Sequence, residues 1–432
     1  MREAIDRFFG LSAQGSSIRQ EVMAGVTTFL AMAYITVVNP SILSAAGMDF
    51  GAVFVATCLA AAIGTAVMGL YANYPVAQAP GMGQNAFFTY GIVLGMGFSW
   101  QSALGAVFIS GLIFIALSVL PVREWLINAI PRSLKLGISA GIGLFLGIIA
   151  LSGSGVIVAN EATIVSLGDL TKIPAILLLT GFVLIAALSA RGIVGAVVIG
   201  MLVVTLLGWA TGAAEFAGVV SAPPSLSTFL ELDISAALDL SMVTVILTLL
   251  LVDVFDTAGT LVGVANRAGM LDEAGHLPRL RRALLSDSSA TAVGALLGTS
   301  STTSYIESAA GVEAGGRTGL TALTTAILFL LCLFIAPLAQ SIPAFATGAA
   351  LLFVATIMAR ALEDLEWGEV GESAPAVVTA IAVPLSYSIA DGIGLGFITY
   401  ALVKIASGNA RRCPLAVYVV AAIFMLKFGF LS

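Results

Sequence analysis

Four acidic side chains sit where a chain of this character tolerates charge least. Asp253 and Asp256 lie in LLLVDVFDTAGTLVG, three residues apart and so on neighbouring parts of one helix face, within an apolar run. Glu307 lies in GTSSTTSYIESAAGVEAGGRTG, residues 298 to 319, wrapped in small polar residues, and Asp391 opens ADGIGLGFITY. Each acid costs roughly 2.5 to 3.5 kcal/mol at a helix centre on insertion scales, so Asp253, Asp256 and Glu307 together would cost on the order of 8 to 10 kcal/mol. The spans read below place no Lys or Arg near them. Protonation, a bound cation, backbone N–H donors or a donor-rich ligand must then offset the cost. A desolvated carboxyl can exchange a proton near neutral pH. The competing explanation for each acid is a protonated or capped carboxyl holding a helix kink, and for Asp391 an N-cap. Asp287 and Glu313, close to the ends of their spans, read as interface or structural residues.

The elements that must position these groups follow from composition. The chain has 432 residues, 59% hydrophobic and 10% charged, with a formal charge of -6 and mean hydropathy +1.07. Apolar stretches of about 20 residues recur from Glu21 onward, which predicts an all-α polytopic membrane protein. The expected spans are 21-41, 52-72, 76-98, 101-120, 133-153, 173-190, 191-211, 241-265, 279-297, 300-315, 318-339, 343-361, 373-389 and 391-407, about fourteen, leaving 226-238 and 412-430 unassigned. No alternating pattern supports a barrel, and residues 1-20 lack a signal peptide's cleavable core, so they read as a cytoplasmic lead. Cys58, Cys332 and Cys413 are isolated in apolar surroundings, and His276 is the only histidine, so no metal site, disulfide or cofactor is expected.

Lys and Arg accumulate in short cytoplasmic loops. With the N-terminus inside a cytoplasmic membrane, Arg2, Arg7, Arg19, Arg123, Arg132, Lys135, Arg191, Arg267, Arg279, Arg281, Arg282, Arg317, Arg360, Lys404, Arg411 and Arg412 all fall inside. Lys172 alone falls outside, and Lys427 is unplaced.

APGMGQNAFFTYG at 79-91 and TSSTTSYIESAAG at 299-311 align without a gap, each a helix-poor opening followed by a short helical run. ARGIVGAVVIG at 190-200 and ADGIGLGFITY at 390-400 each start a span with no room for a loop before it. Seven spans per half would invert one half against the other, so residues 21-211 and 241-407 read as two inverted repeats. Pro80, Gly81, Gly83 and the run Thr299 to Ser304 are poor mid-membrane helix, which predicts that segments 3 and 10 are broken, with short extended stretches, and that their half-helices aim free N–H groups into a shared cavity. Close helix packing by small residues is the competing explanation, but it requires neither Asn85 nor Glu307.

APGMGQNAFF (79-88), VDVFDTAGTLVG (252-263), GTSSTTSYIESAAGV (298-312) and ADGIGLGF (390-397) together resemble the AzgA-like purine permeases, relatives of the nucleobase-ascorbate and uracil permeases, from about Arg7 to Gly408. The resemblance implies fourteen segments divided into a core domain (21-120 and 241-339) and a gate domain (133-211 and 343-407), with 408-432 as a further apolar segment. It implies proton symport of adenine, guanine or hypoxanthine. Carried over by motif, Asp256 binds the purine ring, and Glu307 is a second ligand for the base and a candidate for proton coupling, as is Asp256. Asn85 joins substrate recognition and Asp391 influences uptake. Gln84, beside Asn85, has no assigned role.

A purine shows N–H donors beside ring-nitrogen acceptors, so carboxylates suit its N–H edge, while Asn85 can donate and accept at once. Phe87, Phe88, Phe255 and Tyr305 could stack on the ring, although core or lipid contact explains each of them as well. Asp253, Asp391, Thr257 and Thr303 are candidates for gating or for support behind the site. Sodium could replace the proton, and the chain could form a homodimer. Three other readings compete: an anion transporter of the same fold, which would be expected to offer a basic residue, an intramembrane aspartyl protease built on Asp256 and Asp391, and a channel.

Overall fold

The computed structural model describes residues 2–120, 130–270 and 277–430; His276 and Arg123 lie outside them. Among the described residues nine helices are long and apolar enough to cross a membrane: Ile18–Ser44, Phe50–Ala72, Trp100–Val119, Arg132–Gly153, Ile173–Ala190, Leu240–Arg267, Gly319–Gln340, Ala344–Asp364 and Ile389–Ala406. The shorter apolar helices Ala196–Ala210 and Val370–Ser386, the more polar Leu280–Leu297 and two broken segments account for the other five expected spans. Leu415–Phe430, which the sequence left unassigned, is a further helix.

Hydrogen bonds sort the connections onto two faces. On one, Asn73 donates to the Phe9 carbonyl (2.9 Å) and accepts from Gly319 N (2.7 Å), while Arg267 pairs with Glu313 (2.8 Å). On the other, Ser221 N donates to the Phe334 carbonyl (3.0 Å) and Thr228 Oγ1 to the Leu297 carbonyl (3.0 Å). Glu21 opens the first span. It is fully buried, accepting from Arg317 N, Thr318 N and Thr321 Oγ1, so its charge caps the start of Gly319–Cys332.

Four short strands interrupt the helices. Strands β2 (Ile157–Asn160) and β3 (Ile164–Leu167) form a solvent-exposed antiparallel hairpin that no sequence pattern announced. The buried strands β1 (Gln78–Pro80) and β4 (Thr302–Ser304) pair antiparallel, Gln78 opposite Ser304 and Pro80 opposite Thr302. The pairing extends through Tyr305 N to the Ala77 carbonyl and Gly81 N to the Ser301 carbonyl, both 2.9 Å. Extended backbone inside a bilayer needs such partners, and here each broken segment supplies the other's. Strand β1 follows Asn73 on one face and β4 follows Gly298, beside Thr228, on the other. Their antiparallel meeting is what two halves of opposite orientation require.

Candidate functional site

The strand crossing is clamped by Asp287, which is fully buried in the second turn of Leu280–Leu297. Its Oδ1 accepts from Gln78 Nε2 (3.0 Å), Ser304 N (2.8 Å) and Ser304 Oγ (2.7 Å), and its Oδ2 from Thr257 Oγ1 (2.6 Å). One carboxylate thus ties β1, β4 and the Val243–Arg267 helix together. Of the two readings left open for Asp287, interface or structural residue, these bonds match the structural one, since the residue holds the two broken segments together. The signal was available in the i, i+4, i+7 stripe Asp287, Thr291, Gly294. Thr291 Oγ1 lies 2.8 Å from Asp253 Oδ2 and 2.9 Å from the Thr302 carbonyl. A Cβ at Gly294 would stand 2.5 Å from Thr302 Oγ1, so only glycine lets this helix close on β4.

Asp253 is likewise sealed. It is fully buried and accepts from Gln84 Nε2 (3.2 Å) and Thr291, which gives Gln84 a place the sequence did not supply. Thr257 and Thr303 share a hydrogen bond of 2.8 Å behind the same helix. Asp256, one turn further on, is different: its side chain is solvent-exposed and forms no hydrogen bond or ion pair among the described residues. Residues 248–254 are buried on every side, whereas Asp256, Gly259 and Val262 form an exposed stripe running toward Arg267. A lipid-facing stripe would continue along the whole helix and would exclude an acid, so this stripe faces a water-accessible cleft.

Glu307 is half-buried beside exposed Ile306, whose Cδ1 would be 3.4 Å from a Cβ on Gly263 of that helix. Asp256 on the Val243–Arg267 helix and Glu307 just after β4 therefore approach the same flank. Glu307 Oε1 accepts from Tyr34 OH at 2.6 Å, a partner 273 residues away that sequence reasoning missed. The free N–H groups expected ahead of Ser308–Glu313 are not free. Ser308, Ala309 and Ala310 donate to the Tyr305, Ile306 and Glu307 carbonyls in a tight turn.

The other expected residues divide. Asn85 is fully buried and its Oδ1 accepts from Ser300 Oγ, so of its two functions only the Nδ2 donor lacks a partner among the described residues. Phe87 and Phe88 are sealed in the core, and Tyr305 donates to the Pro80 carbonyl (2.5 Å), stapling the crossing. Phe255 is half-buried with Lys135 Nζ 5.2 Å above its ring. The expectation of no basic residue near the acids is thus corrected, because folding brings a distant span beside Asp256's neighbour. Asp391 shares no hydrogen bond or ion pair with this group among the described residues. Ser388, not Asp391, caps its helix, and Asp391 Oδ1 accepts from Lys427 Nζ at 2.7 Å.

Chemically the arrangement offers two acidic acceptors on one open flank, backed by two acids fully engaged by protein donors. The model of the Permease family matches residues 19–395. The adenine permease AdeP of Escherichia coli (strain K12) is 47% identical, covering 99% of this chain and 96% of its own. The guanine/hypoxanthine permease PbuG of Bacillus subtilis (strain 168) is 46% identical, covering 98% and 99%. Among solved structures, the transmembrane domain of the cyanobacterial bicarbonate transporter BicA superposes with a TM-score of 0.63 at 16% identity, covering 86% of this chain and 96% of that one, a likeness of fold.

Proposed function

We propose, from the premise that the chain belongs to the Permease family and is therefore a multi-pass membrane transporter and not an enzyme, that it imports the purine nucleobases adenine, guanine or hypoxanthine across the cytoplasmic membrane together with protons. The observation that carries the reading is the pair Asp256 and Glu307. Both belong to the second half of the chain, Asp256 on the Val243–Arg267 helix and Glu307 just after β4, and they meet one open flank. Asp256 has no protein donor among the described residues, and Glu307 has one from another residue, the Tyr34 hydroxyl. A purine presents ring and exocyclic N–H donors that two such acceptors can share, and the unpartnered Nδ2 of Asn85 can donate to a ring nitrogen. The names of AdeP and PbuG support the same class of cargo.

Coupling rests on the same groups. Neither acid forms an ion pair among the described residues, so a proton or an N–H donor must compensate the charge during passage. In alternating access, residues 21-120 and 241-339 move as the core against a gate of 133-211 and 343-407. With the N-terminus inside, the exposed stripe beside Asp256 opens to the cytoplasm. The anion-carrier reading is disfavoured by a flank whose exposed charge is acidic.

The test is uptake of labelled adenine, guanine, hypoxanthine and uracil in cells lacking their own nucleobase carriers, with and without a protonophore and in sodium-free medium. Saturable, protonophore-sensitive entry of purines without sodium supports the proposal. Absence of purine uptake by well-expressed protein overturns it.

A further inference from the structure

The hydroxyl of Tyr34 belongs to the first helical span, Ile18–Ser44, which carries none of the four acids. Tyr34 is 2% exposed, and among the described residues its side-chain hydrogen bond runs to Glu307 Oε1 at 2.6 Å. A phenol buried in apolar surroundings needs a partner, and a carboxylate is the strongest acceptor within reach. The ring is wedged in the core with Val37, Val38 and Phe87, so its hydroxyl cannot follow Glu307 far if that side chain turns. Glu307 Oε2 receives no hydrogen bond from another described residue.

With the phenol seated on Oε1 and no other described residue donating to Oε2, Oε2 is the less engaged oxygen and the more open one for an incoming proton or N–H donor. We propose that Tyr34 is a positioning residue of the substrate site: by donating to Oε1 it holds the rotamer of Glu307 and turns Oε2 outward as the atom at which substrate and proton compete. Ionised, Oε2 accepts from the base; protonated, the same atom donates. The proton balance is simple, because one proton adds to Oε2 and leaves from it while the Tyr34 proton stays on its own oxygen. The inference rests on the purine reading above and adds to it the atom where exchange occurs and the residue that selects it.

The experiment compares wild type, Y34F and a protein carrying 3,5-difluorotyrosine at position 34, measuring KM and kcat for the purine that wild type takes up best, across pH 5 to 9. The fluorinated phenol keeps the ring and donates more strongly, so it reports even if Y34F folds poorly. A donor stabilises the ionised carboxylate. The expected result is a KM raised about tenfold in Y34F with little change in kcat, and an uptake profile moved to the alkaline side by about one pH unit, with the fluorinated protein moved to the acid side. Unchanged KM and superimposable profiles in both variants overturn the inference while leaving purine transport intact. Failure of wild type itself to take up purine overturns the underlying reading instead.

Discussion

Asp253 and Asp256 lie one turn apart on the same helix and meet opposite environments: Asp253 is fully buried against Gln84 and Thr291, while Asp256 is exposed and unbonded. Three residues advance a helix by about 300 degrees and 4.5 Å, enough to carry a side chain from a packed flank to the lip of a cleft. Two acids in one motif therefore have different work, one holding the helix against its neighbours and the other facing solvent.

That division predicts different losses on neutralisation. Asp256→Asn keeps the fold and weakens purine binding by about 10- to 100-fold, the worth of a hydrogen bond to a charged acceptor. Asp253→Asn costs stability first, since its amide must meet the Gln84 amide and Thr291 hydroxyl that now donate to it. Equilibrium binding of labelled purine to purified protein, with thermal melting alongside, separates the two. Equal affinities in both variants would show that the exposed acid is not the ligand.

Asp287 is predicted to be more costly to remove than any acid on the open flank. Asp287→Ala strands the Ser304 N–H and hydroxyl donors in the interior, and leaves the Gln78 amide only a long bond to Ser304 and the Thr257 hydroxyl only Thr303. Each orphaned donor costs about 1 to 3 kcal/mol. Thermal melting in detergent should therefore fall by well over the shift seen for Asp256→Asn. Asp287→Asn should sit between them, since one amide oxygen can still accept from Ser304 or Gln78. A melting temperature for Asp287→Ala within a degree or two of wild type would mean the strand crossing is held by its backbone pairing alone.

How much of this was legible in the sequence depends on the range of the interaction. The broken segments could be read because Pro80, Gly81 and the run of Thr and Ser before Tyr305 are locally unsuited to helix, and the crossing lies within residues of where that reading put it. Asp256 and Glu307 stood out because an acid in an apolar run has a cost that needs no structure to see. Tyr34 and Lys135 were invisible for the opposite reason. Their significance lies in partners far along the chain, Glu307 at 273 residues from Tyr34 and Phe255 on another span from Lys135, and nothing in the local pattern around a tyrosine in LAMAYITVV distinguishes a core ring from one holding Glu307. The aromatic residues misled in the same manner: Phe87 and Phe88 adjoin Asn85 in sequence, but their direction was set by packing, which sealed them. The fourteen-span count left 412-430 over because a sixteen-residue apolar helix is short for a span and carries Lys427, whose partner lay beyond the reach of pattern.

That leftover helix bears on where the chain ends. Leu415–Phe430 runs antiparallel to Ile389–Ala406: Tyr418 OH donates to the Ala410 carbonyl (3.0 Å) near its start, and Lys427 Nζ reaches Asp391 Oδ1 near its end. The two helices are flush enough that a Cβ on Gly394 would lie 2.5 Å from the Phe424 ring. Sixteen residues at 1.5 Å each travel about 24 Å, most of a hydrocarbon core. Lys404, Tyr400 and Ser133 gather on Glu372 at the end where Leu415 begins, and Asp391 lies at the opposite end. The helix should therefore return across the membrane as a fifteenth segment and place the two ends of the described chain on opposite faces. Fusions of a fluorescent protein, which lights only in the cytoplasm, and of alkaline phosphatase, which is active only outside it, at each end read this directly. The expected result is fluorescence at the N-terminal fusion and phosphatase activity at the C-terminal one, and fluorescence at both would sink the assignment. The ion pair that seals the arrangement is 12% exposed on the Lys427 side. Asp391→Ala should therefore leave a half-buried ammonium without its partner and destabilise the helix by about 1 to 2 kcal/mol, between the worth of an exposed and a buried pair. The exchange Asp391→Lys with Lys427→Asp should recover most of that loss in a melting measurement, whereas an exchange no better than the single change would mean that Asp391 acts through something other than this pair.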